Sequence, residues 1–413
     1  MTNRCPILTS LLDQLLALWD SPEQERRRRL WADHFNGRTR EVPVSCAMFQ
    51  GSQDLVWQQI LPEETFVHKQ GLARTIEMHL RHSLWRAEHI ADDTPLDPTL
   101  VLGALPAMAP DELWGVPLGF DHSDRAGGAY KPVPPLGDPA DIGRLRAPEF
   151  SYDADAAERQ TCAVRDLVGE ALPLAFHCNA THNGPFEWAV RLRGMDNLLL
   201  DVYDRPEWLK ELMAFLSEAI VDYHSGREAA GCVFAPTECA LHSPWDDFSS
   251  PRGDGAPAPL RDVSKLSASW GYLHAQSSAS YGPDAYAEFV QPYNVPIAEL
   301  FGMVYYHACE TMDLKAPIIR DLPNLRQFHV SPWSDPSACA EALPPRVVME
   351  VHSHPTNVLL LWGEDEMREE LEGLVEASGD QPFNLKLCDI QTINEDAGQA
   401  LITWSRVAKQ VVS

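Results

Sequence analysis

Residues 305–312 read YYHACETM and place His307, Cys309 and Glu310 within four positions, directly after an apolar run. Imidazole and thiolate together suit a borderline-soft cation such as zinc. Side chains two apart on a strand point to the same side, so His307 and Cys309 could bind one ion together. The alternative is a plain core strand, because Cys is often buried as a small apolar residue.

A catalytic zinc takes three protein ligands and leaves a position for substrate, so a third ligand must come from another strand end. We choose Cys388, because it ends a second β-prone run and could converge on the same point. Glu238 or Glu310 could be a fourth ligand or handle a proton. The predicted metal ligands are therefore His307, Cys309 and Cys388.

Further polar residues follow other β-prone runs. We interpret His177, His352, Trp333 and Asp389 as substrate contacts, with Trp333 helping to exclude water. His177 and Cys178 are consecutive, so at most one of them can point at a site.

His352 and His354 are two apart and offer an alternative metal pair. Pro355 follows them, so a loop is an equally good interpretation. We favour a substrate contact over metal ligation for His352.

The candidate site residues can meet only if the fold brings the ends of several strands together. Helical segments such as 205–224 and 365–378 lie between β-prone runs, which is the pattern of βα units on a parallel sheet. Eight such runs predict a (β/α)8 barrel, whose chemistry sits at the C-terminal strand ends. The predicted strands are 42–48, 99–105, 172–178, 231–237, 303–309, 326–331, 346–352 and 383–388.

The N-terminus predicts helices rather than strands. Ser21 can cap a helix, Pro22 suits its first position, and Gln24 stands where a capping-box partner would be. We therefore expect a helical N-terminal cap over residues 1–40 and a single barrel over 41–413. Two segments rich in Gly, Pro and Asp, about 119–148 and 243–262, are predicted insertions, either lids over the site or disordered loops.

Composition excludes several classes of function. The chain has 413 residues, of which 45% are hydrophobic, and a formal net charge of −27, so phosphate backbones and anionic membranes repel it. The basic run at 26–29 reads as a solvated helix face. Nine scattered cysteines fit a reducing compartment, so we expect a cytoplasmic protein that binds neither nucleic acid nor membrane.

Three stretches carry a family resemblance: GPFEWAVRLRGMDNLLLDVYDRPEWLKELM (184–213), SYGPDAYAEFVQPYNVPIAELFGMVYYHACE (280–310) and CDIQTINEDAGQAL (388–401). They resemble the uroporphyrinogen decarboxylase superfamily, most closely its zinc-dependent, corrinoid-linked methyltransferase branch. The resemblance implies a (β/α)8 barrel. It also places that branch's zinc ligands on His307, Cys309 and Cys388.

The implied activity is methyl transfer between a small thiol or an O-, S- or N-methylated substrate and a corrinoid. The chain lacks an Asp-x-His-x-x-Gly cobalamin signature, so the corrinoid would be borne by a separate partner protein. Superfamily relatives are often dimers, which makes a homodimer one alternative for the oligomeric state.

Two rival functions stand beside methyl transfer. One is a metal-free decarboxylase or lyase for a small carboxylated substrate, with His307 as general acid and Glu238 or Asp389 as its partner. Porphyrinogen decarboxylases carry arginines near the first strand, whereas this chain reads VPVSCAMFQGSQD there. The other is a non-catalytic barrel that binds a corrinoid or a porphyrin.

Overall fold

The computed structural model describes residues 4–47, 54–103, 113–122, 130–177, 181, 184–233, 265–390, 393, 396 and 398–413. The strands are β1 Val44–Cys46, β2 Leu100–Gly103, β3 Gly119–His122, β4 Tyr130–Val133, β5 Leu174–His177, β6 Trp270–His274, β7 Met303–His307, β8 Leu325–Val330, β9 Val348–His352 and β10 Phe383–Leu387. Helices α1 to α8 are Pro6–Trp19, Pro22–Phe35, Asp54–Ile60, Gly71–His89, Ala154–Val168, Pro185–Arg193, Met195–Asp204 and Pro206–Ala229. Helices α9 to α15 are Pro283–Phe289, Gln291–Ala298, Ala316–Ile319, Pro336–Ala342, Pro355–Leu360, Glu364–Ser378 and Gln399–Val411.

The fold is mixed α/β and is built on parallel strands. Six of the described strands form one parallel sheet in the order β1-β10-β9-β8-β7-β6, and β2 pairs with β5, also in parallel. Helices separate most strands that are consecutive in this sheet, as βα crossovers require. The C-terminal ends of these six strands therefore lie along one edge of the sheet.

The six-stranded sheet is strongly curved. The end of β7 and the end of β10 are three strands apart, which on a flat sheet is roughly 14 Å. Yet Sγ of Cys309, after β7, lies 3.8 Å from Oδ2 of Asp389, after β10. The side of the sheet that carries these groups is concave, and the loops at its edge converge on one space.

Seven of the predicted strands match observed ones to within a few residues. The predicted strand 231–237 lies outside the described residues from position 234 onward. Sequence reasoning missed β6, which pairs with β7 and places His274 opposite His307. It is a short run, WGYLH, with a Gly at its second position, where an added Cβ would clash with the Phe301 ring 2.4 Å away.

The predicted N-terminal helices are confirmed. Ser21 caps α2, because its side chain accepts a hydrogen bond from the backbone N–H of Gln24, and Pro22 occupies the first helical position. Gln24 does not complete a capping box; its side-chain oxygen accepts a hydrogen bond from the backbone N–H of Leu96 instead. The side chain of Gln24 thus links α2 to the segment that leads into β2.

The first predicted insertion contains regular structure in its described part. β3 and β4 form an antiparallel hairpin, and a 3-10 helix follows at Pro139–Arg144. The second predicted insertion, 243–262, lies outside the described residues. Within the described part of the chain, no helix has the length and apolar character needed to cross a membrane.

Candidate active site

Five neighbouring strands each end in a pair of polar or ionisable side chains two residues apart. Because residues two apart share a side of the strand, both members of each pair point to the concave face. The pairs are Tyr272 and His274 (β6), Tyr305 and His307 (β7), Gln327 and His329 (β8), Glu350 and His352 (β9), and Lys386 and Cys388 (β10 and the residue after it).

The imidazole of His307 and the thiol of Cys309 are adjacent. Cys309 lies two residues beyond the end of β7, and its Sγ is 3.3 Å from Nε2 of His307. The other ring nitrogen, Nδ1, is 2.8 Å from the phenolic oxygen of Tyr272. Tyr272 therefore fixes the ring so that Nε2 faces the thiol.

Cys388 and Asp389 come directly after β10. Asp389 adopts a left-handed conformation with φ of 55°, which turns the chain and brings its carboxylate to Cys309. Burial raises the pKa of both Cys309 and Cys388, and the Asp389 carboxylate raises both further. Such thiols do not ionise unaided, whereas a bound cation would favour their thiolates. Imidazole nitrogen, thiolate and carboxylate are donor types that suit zinc, and the structure brings one of each together at Cys309, which contacts His307 and Asp389.

A second group of ionisable side chains lies deeper on the same face. The carboxylate of Glu350 accepts hydrogen bonds from Tyr305 Oη at 2.5 Å, His352 Nε2 at 2.7 Å, Lys386 Nζ at 2.8 Å and Gln327 Nε2 at 3.2 Å. Glu350 and Lys386 are both fully buried. A buried carboxylate needs such partners to stay charged, and here it has an ammonium group and three further hydrogen-bond donors.

His329, Glu350 and His352 form a buried group that could hold a metal ion, since one ligand atom of each lies within 4.8 Å of the others. Among the described residues, this is the one group of three His, Cys, Asp or Glu side chains found to meet that spacing. Lys386 argues against a cation there, because its ammonium group already neutralises Glu350 and would repel a divalent ion. The Glu350 carboxylate is also held by four hydrogen-bond donors without any ion.

Four histidines form a continuous row across neighbouring strands. Their ring centroids are 5.2 Å apart from His274 to His307, 4.3 Å from His307 to His329 and 3.9 Å from His329 to His352. The row connects the His307–Cys309 pair to the Glu350 group. The two groups of ionisable side chains are thus parts of one site.

The turn before α6 packs against the end of β6. A Cβ on Gly184 would lie 2.3 Å from the backbone oxygen of His274, so only glycine fits there. Three residues on, Glu187 accepts hydrogen bonds from the backbone N–H and the hydroxyl of Ser277. The Gly-Pro-Phe-Glu stretch therefore holds the start of α6 against the end of β6.

The remaining predicted site residues have different settings. The backbone oxygen of Glu310 accepts a hydrogen bond from Ser331, and Glu310 itself is exposed. Trp333 is 58% exposed and packs edge-on against His354, with ring centroids 4.7 Å apart. His177 ends β5 opposite Gly103 of β2, and Glu238 lies outside the described residues.

A comparison with solved structures finds a methyltransferase from Methanosarcina mazei with a TM-score of 0.52 and 14% sequence identity. The match covers 93% of this chain and 98% of that one. No protein-family model matches the sequence, and no curated protein matches it. At this identity the likeness shows a shared fold over nearly the whole of both chains.

Sequence reasoning missed Tyr272, His274, His329, Glu350 and Lys386. A signal for most of them was present, because each of the runs FHV, MEVH and LKLC places an ionisable residue inside an apolar strand. Charged side chains are rarely buried unless they are paired. A lysine and a glutamate in two apolar strands therefore indicate a buried ion pair.

Proposed function

We propose that this protein is a zinc-dependent methyltransferase. In our proposal it moves a methyl group between a small thiol or methylated substrate and a corrinoid carried by a separate protein. The observation that carries the proposal is the 3.3 Å approach of Cys309 Sγ to His307 Nε2, with Cys388 and Asp389 arriving from β10. The fold shared with a methyltransferase supports the reaction class.

The proposal includes a closed (β/α)8 barrel over residues 41–413, preceded by the helical cap of residues 1–40. The eight described parallel strands, in sheets of six and two, are the number that such a barrel needs. The curvature of the larger sheet supports closure. The site would then lie in the barrel mouth, as it does in barrel enzymes generally.

His307, Cys309 and Cys388 would hold the zinc, and Asp389 or Glu310 is available as a fourth ligand. A bound zinc would supply Lewis-acid chemistry, lowering the pKa of a thiol substrate or polarising the heteroatom of a methylated one. Tyr272 keeps His307 oriented through Nδ1, so that Nε2 is directed at Cys309, on the side where the ion would lie.

His352 would accept or return a proton at Nδ1. Its Nε2 faces the Glu350 carboxylate, which can only accept a hydrogen bond when ionised, so in the neutral ring Nδ1 is the basic nitrogen. Lys386 keeps Glu350 ionised by pairing with it. Trp333, at the exposed rim, would cover the substrate.

The Glu350–His352 pair also favours a second candidate, a metal-free decarboxylase or lyase. A histidine held by a buried carboxylate is an established arrangement for acid–base catalysis. In that case His352 or His307 would deliver the proton. The two candidates differ in whether turnover needs metal.

The test is the zinc content per chain of protein purified without added metal, measured by elemental analysis. We expect about one zinc in the native protein, as for a single catalytic site. Cys309→Ser and Cys388→Ser should lose it while keeping native circular dichroism. Cys339→Ser, which alters a fully buried thiol on α12, is the matched control and should keep the metal.

Two results would count against the thiolate site, and a third would show that the variants are not folded. If both serine variants keep zinc and His329→Asn loses it, the metal is bound by the group of His329, Glu350 and His352. Equal loss in Cys339→Ser would indicate general unfolding. A native protein that binds no zinc even after exposure to it would leave the metal-free lyase as the better candidate.

A further inference from the structure

A cysteine, a histidine and a glutamate form a chain of contacts at the N-terminal end of the described protein. Cys5 immediately precedes α1, and its Sγ lies 3.5 Å from Nε2 of His68. Nδ1 of the same ring lies 2.8 Å from Oε2 of Glu77 on α4. Cys5 can therefore act as a nucleophile, His68 as its base and Glu77 as the carboxylate that orients the base, because each lies within hydrogen-bonding distance of the next.

The carboxylate is held firmly in place. Glu77 is fully buried and also accepts hydrogen bonds from the backbone N–H groups of Val67 and His68 and from Nε of Arg81. Burial alone would raise its pKa, but these donors lower the pKa of Glu77 to about 2. Glu77 is therefore ionised at neutral pH.

An ionised carboxylate can only accept a hydrogen bond, so Nδ1 of His68 must carry the proton. In the neutral ring this leaves the lone pair on Nε2, the nitrogen that faces Cys5. The imidazole is thus in the tautomer that can take the thiol proton. Glu77 would then stabilise the resulting imidazolium.

This cluster is separate from the candidate active site. Helices α1 and α4 pack in an apolar cluster with α5 and β2, which includes Leu8, Leu12, Ile76 and Leu80. The loops around β7 and β10 pack in another, which includes Met312 and Ile390. None of the three residues takes part in the methyl transfer proposed above.

The cluster is open to small molecules. Cys5 is half-buried rather than enclosed, and the His68 side chain is 23% exposed. Cys162, on α5, is exposed, so it offers a reference thiol in the same molecule.

We propose that Cys5 is a base-activated thiol and a site of covalent modification by low-molecular-weight disulfides. His68 Nε2 takes the thiol proton, and the thiolate attacks one sulfur of the disulfide. A bond forms from Cys5 to that sulfur while the S–S bond of the reagent breaks. The departing thiolate takes the proton back from His68, so a mixed disulfide and one free thiol result, with no further oxidant needed.

The first experiment measures the alkylation rates of Cys5 and Cys162 by iodoacetamide at pH 7 in the native protein, using peptide mass spectrometry. Cys162 is the more exposed of the two, so faster reaction of Cys5 must come from activation rather than from access. We expect Cys5 to react at least about 100-fold faster, the lower end of what a positioned base contributes. Equal or slower reaction of Cys5 would overturn the proposal.

Two variants test the mechanism. His68→Asn and Glu77→Gln should both slow Cys5 while leaving the rate of Cys162 unchanged, and native circular dichroism would show that the fold is kept. Oxidised glutathione is the probe for the disulfide reaction, and native Cys5 should gain one glutathione before Cys162 does. An unchanged Cys5 rate in His68→Asn would mean that the contact is only structural.

Discussion

The arrangement around His307 depends on one residue that is not itself a predicted ligand. Tyr272 meets Nδ1 of His307 at 2.8 Å and leaves Nε2 directed at Cys309. The partner of a ligating histidine sets both ring orientation and tautomer. The sequence indicated His307 and Cys309 from their spacing, but Tyr272 lies on a strand that the sequence did not indicate. Its role follows only from the pairing of β6 with β7.

We predict that Tyr272→Phe weakens zinc binding about 10- to 100-fold, the usual effect of losing such a partner. Competition against a chromogenic chelator would measure the affinity. Tyr306→Phe is the control, because Tyr306 bonds to Tyr286 instead, at 2.6 Å. Equal affinities in the two variants would contradict the proposed role of Tyr272.

At the scale of elements, one carboxylate joins the N-terminal helices to the sheet and to the last helix. Asp93 is fully buried, accepts the backbone N–H of Val44 on β1, and pairs with Arg26 on α2 and Lys409 on α15. The sequence predicted α2 correctly from its cap, since capping is a local interaction. The sequence could not predict that α2 lies against the sheet, because the contact between Arg26 and Asp93 joins residues 67 positions apart.

We predict that Asp93→Asn destabilises the protein by about 2 kcal/mol, because two charged hydrogen-bond partners lose their acceptor charge. The midpoint of urea denaturation would measure this. Asp380→Asn is the matched control, since Asp380 meets Arg40 at 4.0 Å with both side chains fully exposed, and it should change nothing measurable. A midpoint shift of the same size in both variants would argue against the joining role of Asp93.

At the scale of the whole molecule, the proposed zinc site connects the ends of strands that are not neighbours. β7 and β10 are separated by β8 and β9 in the sheet, and their loops meet only because the sheet is curved. A metal bound by both loops would stabilise that curvature. Binding to the folded state alone adds stability in proportion to the logarithm of metal saturation.

We therefore predict that removing zinc with a chelator lowers the thermal midpoint of the native protein. The loss corresponds to about 4 kcal/mol when free zinc is about 1,000-fold above its dissociation constant. Differential scanning calorimetry would measure the shift. Cys309→Ser already lacks a ligand and should show little further change on chelation. An equal shift in both proteins would mean that the chelator acts elsewhere.

The sequence by itself determined the local features of this protein. Short β-prone runs predicted seven of the observed strands, Ser21 and Pro22 predicted the start of α2, and the two-residue spacing of His307 and Cys309 indicated that their side chains lie on the same side. Each of these depends on residues close together in the chain. The tertiary structure alone decided which strands are neighbours and which way the sheet curves. That is why the Glu350–Lys386 pair, the row of histidines and the meeting of Cys309 with Asp389 became visible only in the fold, where residues tens of positions apart share one buried space.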